Sequence, residues 1–99
     1  IPAAYDGKPA LQREEAVRSG SLAAMALMFA AKDRGWDSGP MIGFDAGKVG
    51  ELLGLDAQCV PVMMVAVGKA LNGEQPARLY RRPRAEVVKL ERLDGESLG

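Results

Sequence analysis

Histidine is absent from the 99 residues. Its absence removes Ser-His-Asp and Cys-His catalysis, together with the commonest zinc ligand. Cysteine occurs once, at Cys59, so no internal disulfide can form, which suits a reducing cytoplasm. The thiol stands between Gln58 and Val60 at the start of an apolar run and reads as a small buried hydrophobe. Net charge is missing too: 13 basic residues balance 13 acidic ones, so no overall field favours DNA, RNA or an anionic membrane. A nucleic-acid module would carry a basic stripe with interleaved aromatics. Only residues 78–84 are locally basic, and they hold one aromatic, Tyr80. Long hydrophobic runs are also lacking. The longest charge-free apolar stretch, residues 22–31, is too short to span a bilayer. No basic segment precedes an apolar stretch at the start, so no signal peptide is expected. The chain begins at Ile1, which suggests a segment from inside a longer gene product, although removal of a tag or of the initiator Met gives the same start.

What is present fits one globular domain: 47% of residues are hydrophobic and 26% charged. A chain this short buries a small fraction of its surface, so its stability alone would be marginal. Residues 1–9, with two prolines and a glycine, read as a loop. Helical composition follows over 10–34. Glu14 and Glu15 are placed near the helix start, where negative charge complements the dipole, and Arg18 pairs with Glu14 four residues on. Val17, Ala24, Met25 and Met28 share one side, and Leu22, Leu27 and Phe29 extend the apolar surface almost all round. Such a helix is expected to be buried on several sides. Gly20 costs about 1 kcal/mol relative to alanine inside a helix, which implies close approach of another backbone. Gly35 is the expected C-terminal cap.

Asp37-Ser38-Gly39-Pro40 is turn chemistry, and residues 41–44 form either a very short strand or an ordered loop. Asp45 is a good N-cap for a short amphipathic helix over 46–53, with Val49, Leu52 and Leu53 on one face and Gly54 closing it. Residues 55–58 connect to a strand over 59–68, whose continuous apolarity predicts cover on both faces. Pro61 fits only near its beginning or at an edge. Residues 71–75 read as loop. The prolines of 76–84 exclude a regular helix and leave an extended arm over 76–99, with a short helical turn or strand within 85–93 and a frayed end from Asp94. One long helix, one short helix and one strand make an incomplete layer structure that needs another chain, another copy or a further segment.

Taken in order, these pieces resemble the nitroreductase family of flavoproteins. Arg13-Glu14-Glu15-Ala16-Val17-Arg18-Ser19 with residues 22–28 resembles its long central helix. Gly35-Trp36-Asp37-Ser38-Gly39-Pro40-Met41-Ile42-Gly43-Phe44-Asp45 resembles the loop that follows, where Pro-x-x-Gly-Phe-Asp is a hallmark. Residues 62–69 resemble the next core strand, and residues 78–83 with Glu86-Val87-Val88 resemble the C-terminal arm. The resemblance implies an α+β fold of the nitroreductase-like α/β/α layered kind, of which this chain is the C-terminal half. Family members are roughly twice this long, within single-domain size. The half not seen here would carry the Arg-Ser-x-Arg segment that grips a phosphate and much of a dimer core.

The resemblance further implies FMN as cofactor. Pro40, Met41, Ile42 and Gly43, at residues 37–45 termed the flavin loop, would lie against the flavin ring, with the main-chain N–H groups of Ile42 and Gly43 toward its N5 and O4 edge. Gly43 would let the backbone approach closely. Many relatives have an acidic residue where this chain has Ile42; a main-chain contact survives that change and a side-chain role does not. Arg78 or Arg81 would reach the FMN phosphate, since a guanidinium fork matches its oxygens. Arg82 and Arg84 read as solvated. Met25, Met28, Met63, Met64, Trp36 and Phe44 read as packing residues, with a substrate-side role for Phe44 the weaker alternative. Two functions follow. One is an FMN-dependent cytoplasmic homodimer passing electrons from NADH or NADPH to a nitro, quinone or enone acceptor by a ping-pong mechanism, with no catalytic side chain, no metal, no nucleic acid and no membrane. The alternative is a non-catalytic truncated fragment that serves as a self-associating or interaction module.

Overall fold

Pro9 opens the first helix. Its fixed φ suits the first helical position, where a missing N–H costs nothing. The computed structural model describes residues 2–71 and 76–98. A 3-10 turn at Pro2–Ala4 leads into α1, Pro9–Asp33. The Tyr5 carbonyl accepts from Lys8 N at 3.2 Å and from Gln12 Nε2 at 2.7 Å, tying the entry turn to the helix. Glu14 and Glu15 fall beyond the first turn, which holds no acidic residue, so the expected dipole contribution does not arise; the effect fades within one turn. Their role is pairing with Arg18, at 3.8 Å and 3.4 Å.

The helix stops in a Schellman arrangement. Gly35 adopts φ +78°, Gly35 N donates to Lys32 O at 3.0 Å, and Trp36 N donates to Ala31 O at 2.9 Å. Asp37–Met41 then forms β1, not the turn its Asp, Ser, Gly and Pro suggest. Pairing overrides local preference: β1 lies antiparallel to β2, Met64–Gly68, in a register from Asp37↔Gly68 to Met41↔Met64. Pro40 is tolerated because the described sheet has two strands, so each is an edge.

Between the strands lies α2, Ala46–Leu53. Asp45 Oδ1 accepts from Lys48 N at 3.1 Å, and Gly54 closes the helix in the left-handed region at φ +67°. β2 is shorter than the strand expected over 59–68, because β1 offers five partners and Pro61 lacks a donor. Residues 60–63 approach α1 without a ladder. There Gly20 faces the Val62 side chain, whose Cγ2 would stand 3.4 Å from an added Cβ, so the close neighbour is a side chain and not a backbone. Cys59 is exposed, contrary to expectation; it ends a turn closed by Cys59 N to Asp56 O at 3.1 Å, ahead of the packed segment.

Part of the 71–75 loop lies outside the described residues. Residues 76–83 run extended to a one-turn helix α3, Arg84–Val87. Residues 94–98 are not frayed, and Gly99 lies outside the described residues. Leu90 N donates to Glu96 O at 2.8 Å and Leu98 N to Val88 O at 3.0 Å, so residues 88–98 fold back through a bridge at Lys89↔Ser97. Gly95 is required in that turn, since a Cβ there would fall 2.2 Å from Leu90 O.

Helix α1 packs against both strands, which makes an α+β arrangement, but very little is enclosed. Ala31 is the one buried hydrophobe among the described residues. The cover expected around α1 and on both faces of β2 is not supplied by this chain: Leu22 is 73% exposed, Phe29 67% and Val67 49%. Met25 and Met64, read as core, are likewise exposed. The radius of gyration is 18.4 Å, whereas a compact domain of this length would have about 13 Å. Accessible surface is 8614 Å², about 3,200 Å² more than the roughly 5,400 Å² expected of a compact 10.5 kDa monomer.

Candidate functional site

The site begins where the sheet ends. Pro40 and Met41 are the last residues of β1, and Ile42 and Gly43 lead to the N-cap of α2. The rim is therefore held at one side by strand pairing, with Met41 opposite Met64, and at the other by the Asp45 cap. All four candidates are exposed, Ile42 to 74%. Among the described residues, no acceptor meets the N–H of Ile42 or of Gly43. Space around Gly43 is open, with no atom within 4 Å of a Cβ built there. Two adjacent backbone donors of exposed residues thus have no acceptor among the described residues, on a backbone braced at both ends. Such a pair can bind a carbonyl or ring-nitrogen edge without rearranging.

The arginines stand apart from this rim. Arg78 and Arg81 lie in the exposed 76–83 segment, and no hydrogen bond or ion pair joins either to residues 40–43. Arg81 Nη1 folds back on its own chain, donating to Leu79 O at 3.1 Å and Tyr80 O at 3.3 Å. Arg82, read as solvated, pairs with Glu86 at 3.1 Å. The structure therefore does not bring the 40–43 rim and the two arginines together through any hydrogen bond or ion pair among the described residues.

An open groove of about 560 Å³ runs beside β1, lined by Met25, Met28, Phe29, Trp36 and Pro40 with Lys32 and Asp37 at its polar margin. Lys32 Nζ and Asp37 Oδ1 are 3.9 Å apart there. Pro40 is the rim candidate that lines it. Sequence reasoning missed the neighbouring cluster. Lys69 Nζ lies 4.5 Å over the Trp36 ring and donates to Gly35 O, and Ala70 N donates to Asp37 Oδ2 at 2.6 Å. The partners are 33 and 34 residues apart, a separation that carries no local signal. Among the described residues no group of three or more Cys, Asp or Glu could hold a metal ion, and no helix is long and apolar enough to cross a membrane.

Known proteins resemble this chain in sequence and in fold. A protein of Bacillus subtilis (strain 168) named "Putative NAD(P)H nitroreductase MhqN" is 47% identical over 78% of this chain and 37% of its own length. Protein DrgA of Synechocystis (strain PCC 6803) is 55% identical over 84% of this chain and 40% of its own. A crystal structure from Bacillus subtilis, titled as that of the "putative nitroreductase ydfN", superposes with a TM-score of 0.76 at 44% identity, covering 81% of this chain and 39% of that one. The chain thus spans about two fifths of the length of these relatives. The Nitroreductase family model matches residues 2–69, from the entry turn through α1, the rim and β2 to Lys69, and the chain belongs to that family.

Proposed function

We propose that this chain supplies the ring-edge half of an FMN site in an NAD(P)H-dependent oxidoreductase. The observation that carries the reading is the pair of N–H groups at Ile42 and Gly43 with no acceptor among the described residues, on a backbone braced by β1 and by the Asp45 cap. Bound FMN would supply hydride and electron transfer, taking reducing equivalents from NADH or NADPH and handing them to a nitro, quinone or enone acceptor in ping-pong order. The chain's own part is electrostatic. With FMN bound, the Ile42 and Gly43 N–H dipoles would stabilise negative charge at the N5 and O4 edge of its ring without reorganising. Pro40 and Met41 hold the approach to the ring, and Gly43 keeps bulk away from it. Arg78 is the better candidate for the phosphate, because the Arg81 guanidinium is already engaged by two carbonyls. The remaining phosphate ligands and the walls of the pocket come from outside these 99 residues, from a preceding segment or from the second subunit of a homodimer. A cytoplasmic location accords with the lone free thiol.

The visible spectrum of the protein assembled with that segment or second subunit, during titration with FMN, tests this. Saturable binding with a perturbed flavin band is the expected result. Gly43→Pro, which deletes one donor, should weaken binding of oxidised FMN by about two- to tenfold, the scale of a hydrogen bond between neutral groups. A flavin band that never changes would refute the reading.

A second reading is favoured by the surface itself. An excess of about 3,200 Å² on this one chain is more than the roughly 1,000–2,500 Å² that one partner gives to most obligate interfaces, so the chain also fits a non-catalytic module held by extensive association. That reading expects stable assembly with no FMN affinity.

A further inference from the structure

β1 carries little information about its own register. Its sequence, Asp37-Ser38-Gly39-Pro40-Met41, has no alternation of apolar and polar residues, and neither strand buries a whole face. Register is weakly specified in short, glycine-containing strands of this kind. The rim follows directly from β1, so a slip of one residue would displace Ile42 and Gly43 by about 3.4 Å and turn them to the other face. A binding constellation tolerates about 0.5 Å. Something outside the ladder must hold the strand.

The fastening lies at the opposite end of β1 from the rim. Just past the Asp37↔Gly68 pair, Lys69 reaches back to the Gly35 carbonyl and lies over Trp36, while the next amide, Ala70 N, bonds Asp37 Oδ2 at 2.6 Å. The Schellman turn fixes Gly35 and Trp36 to α1 through Lys32 O and Ala31 O. Lys69 therefore joins β2 to a point whose position along β1 is set by the helix. A slipped strand would lose the carbonyl, the ring and the Asp37 contact together.

We propose that Lys69 is a positioning residue: it sets the register of β1 on β2 and so fixes where the Ile42 and Gly43 amides stand. Its consequence for a flavin rests on the function proposed above; the register claim does not. Cross-strand NOEs in the isotopically labelled chain test it, with Trp36, the single tryptophan, as an optical reporter. The unsubstituted chain should show the Gly39↔Ala66 and Asp37↔Gly68 pairings. Lys69→Met should reduce those NOEs to half or less, shift Trp36 emission and move the Ile42 and Gly43 amide signals, while Lys69→Arg, which keeps a donor and a cation, should restore all three. Ala70→Pro, which removes the amide given to Asp37, should loosen the register in the same way while keeping the Lys69 side chain. The Lys48 amide of α2 serves as the internal check that folding persists. Unchanged pairing in Lys69→Met would overturn the proposal, as would equal loss in Lys69→Arg or absence of the pairing from the unsubstituted chain. Failure of FMN to bind while the NOEs behave as described would reject the flavin reading and leave the register assignment standing.

Discussion

Two glycines separate what the chain needs from what it tolerates. At Gly95 an added Cβ would meet the Leu90 carbonyl at 2.2 Å and the Arg92 carbonyl at 3.0 Å, both backbone atoms that cannot step aside. Gly95→Ala should therefore open the 88–98 turn, and amide exchange at Leu90 and Leu98 should accelerate at least tenfold while α1 is unaffected. Gly20 is different. Its neighbour is the half-buried Val62 side chain at 3.4 Å, ordinary contact distance, and alanine is about 1 kcal/mol better than glycine inside a helix. Gly20→Ala should stabilise the fold by up to about 1 kcal/mol in urea denaturation, whereas Gly20→Leu should destabilise it by driving Val62 off the helix. Equal effects of the two substitutions would show that Val62 does not pack there.

At the scale of elements, α2 is the clearest case of local chemistry deciding structure. Asp45→Ala removes the acceptor for Lys48 N and should cost about 1 kcal/mol of helix stability, while Asp45→Asn should cost little. Circular dichroism through a thermal ramp separates them. The short helix, its cap and its Gly54 stop were all legible in sequence, because each depends on residues within one turn of one another. So were the body of α1 and its Gly35 stop. β1 was not, since Asp37, Ser38, Gly39 and Pro40 favour a turn locally and become a strand only by pairing with residues 64–68. The foldback of 88–98 was hidden for a similar reason: it depends on backbone bonds spanning up to ten residues and on one glycine. Within the candidate site, the rim is proposed from its resemblance to a family loop, and the family itself is shown over residues 2–69. The Lys69–Trp36–Gly35 cluster was not legible, because its members meet only after α1 and the sheet have formed.

For the whole molecule, the dominant fact is uncovered apolar surface. Leu22, Phe29, Leu52 and Leu53 lie open on the two longer helices, and the chain is far more extended than a closed domain of its length. Burial of apolar area contributes about 25 cal/mol per Å², so exposure on this scale leaves the isolated chain poorly stabilised. It should bind a hydrophobic dye such as ANS strongly. Joined to the part of MhqN outside the segment that it matches, it should lose most of that dye binding and gain at least 10 °C in melting temperature. Double replacement Leu22→Ser and Phe29→Ser should reduce dye binding by the isolated chain and abolish the gain on joining. Persistence of the gain would place the contact elsewhere.

The most direct test of the rim is an FMN titration of that joined polypeptide, followed residue by residue through its backbone amide resonances. The expected result is that Ile42 and Gly43 shift more than any other amide of this chain, in step with the change in flavin absorbance. Flavin binding that leaves both amides unmoved, or no binding at all, would contradict the account.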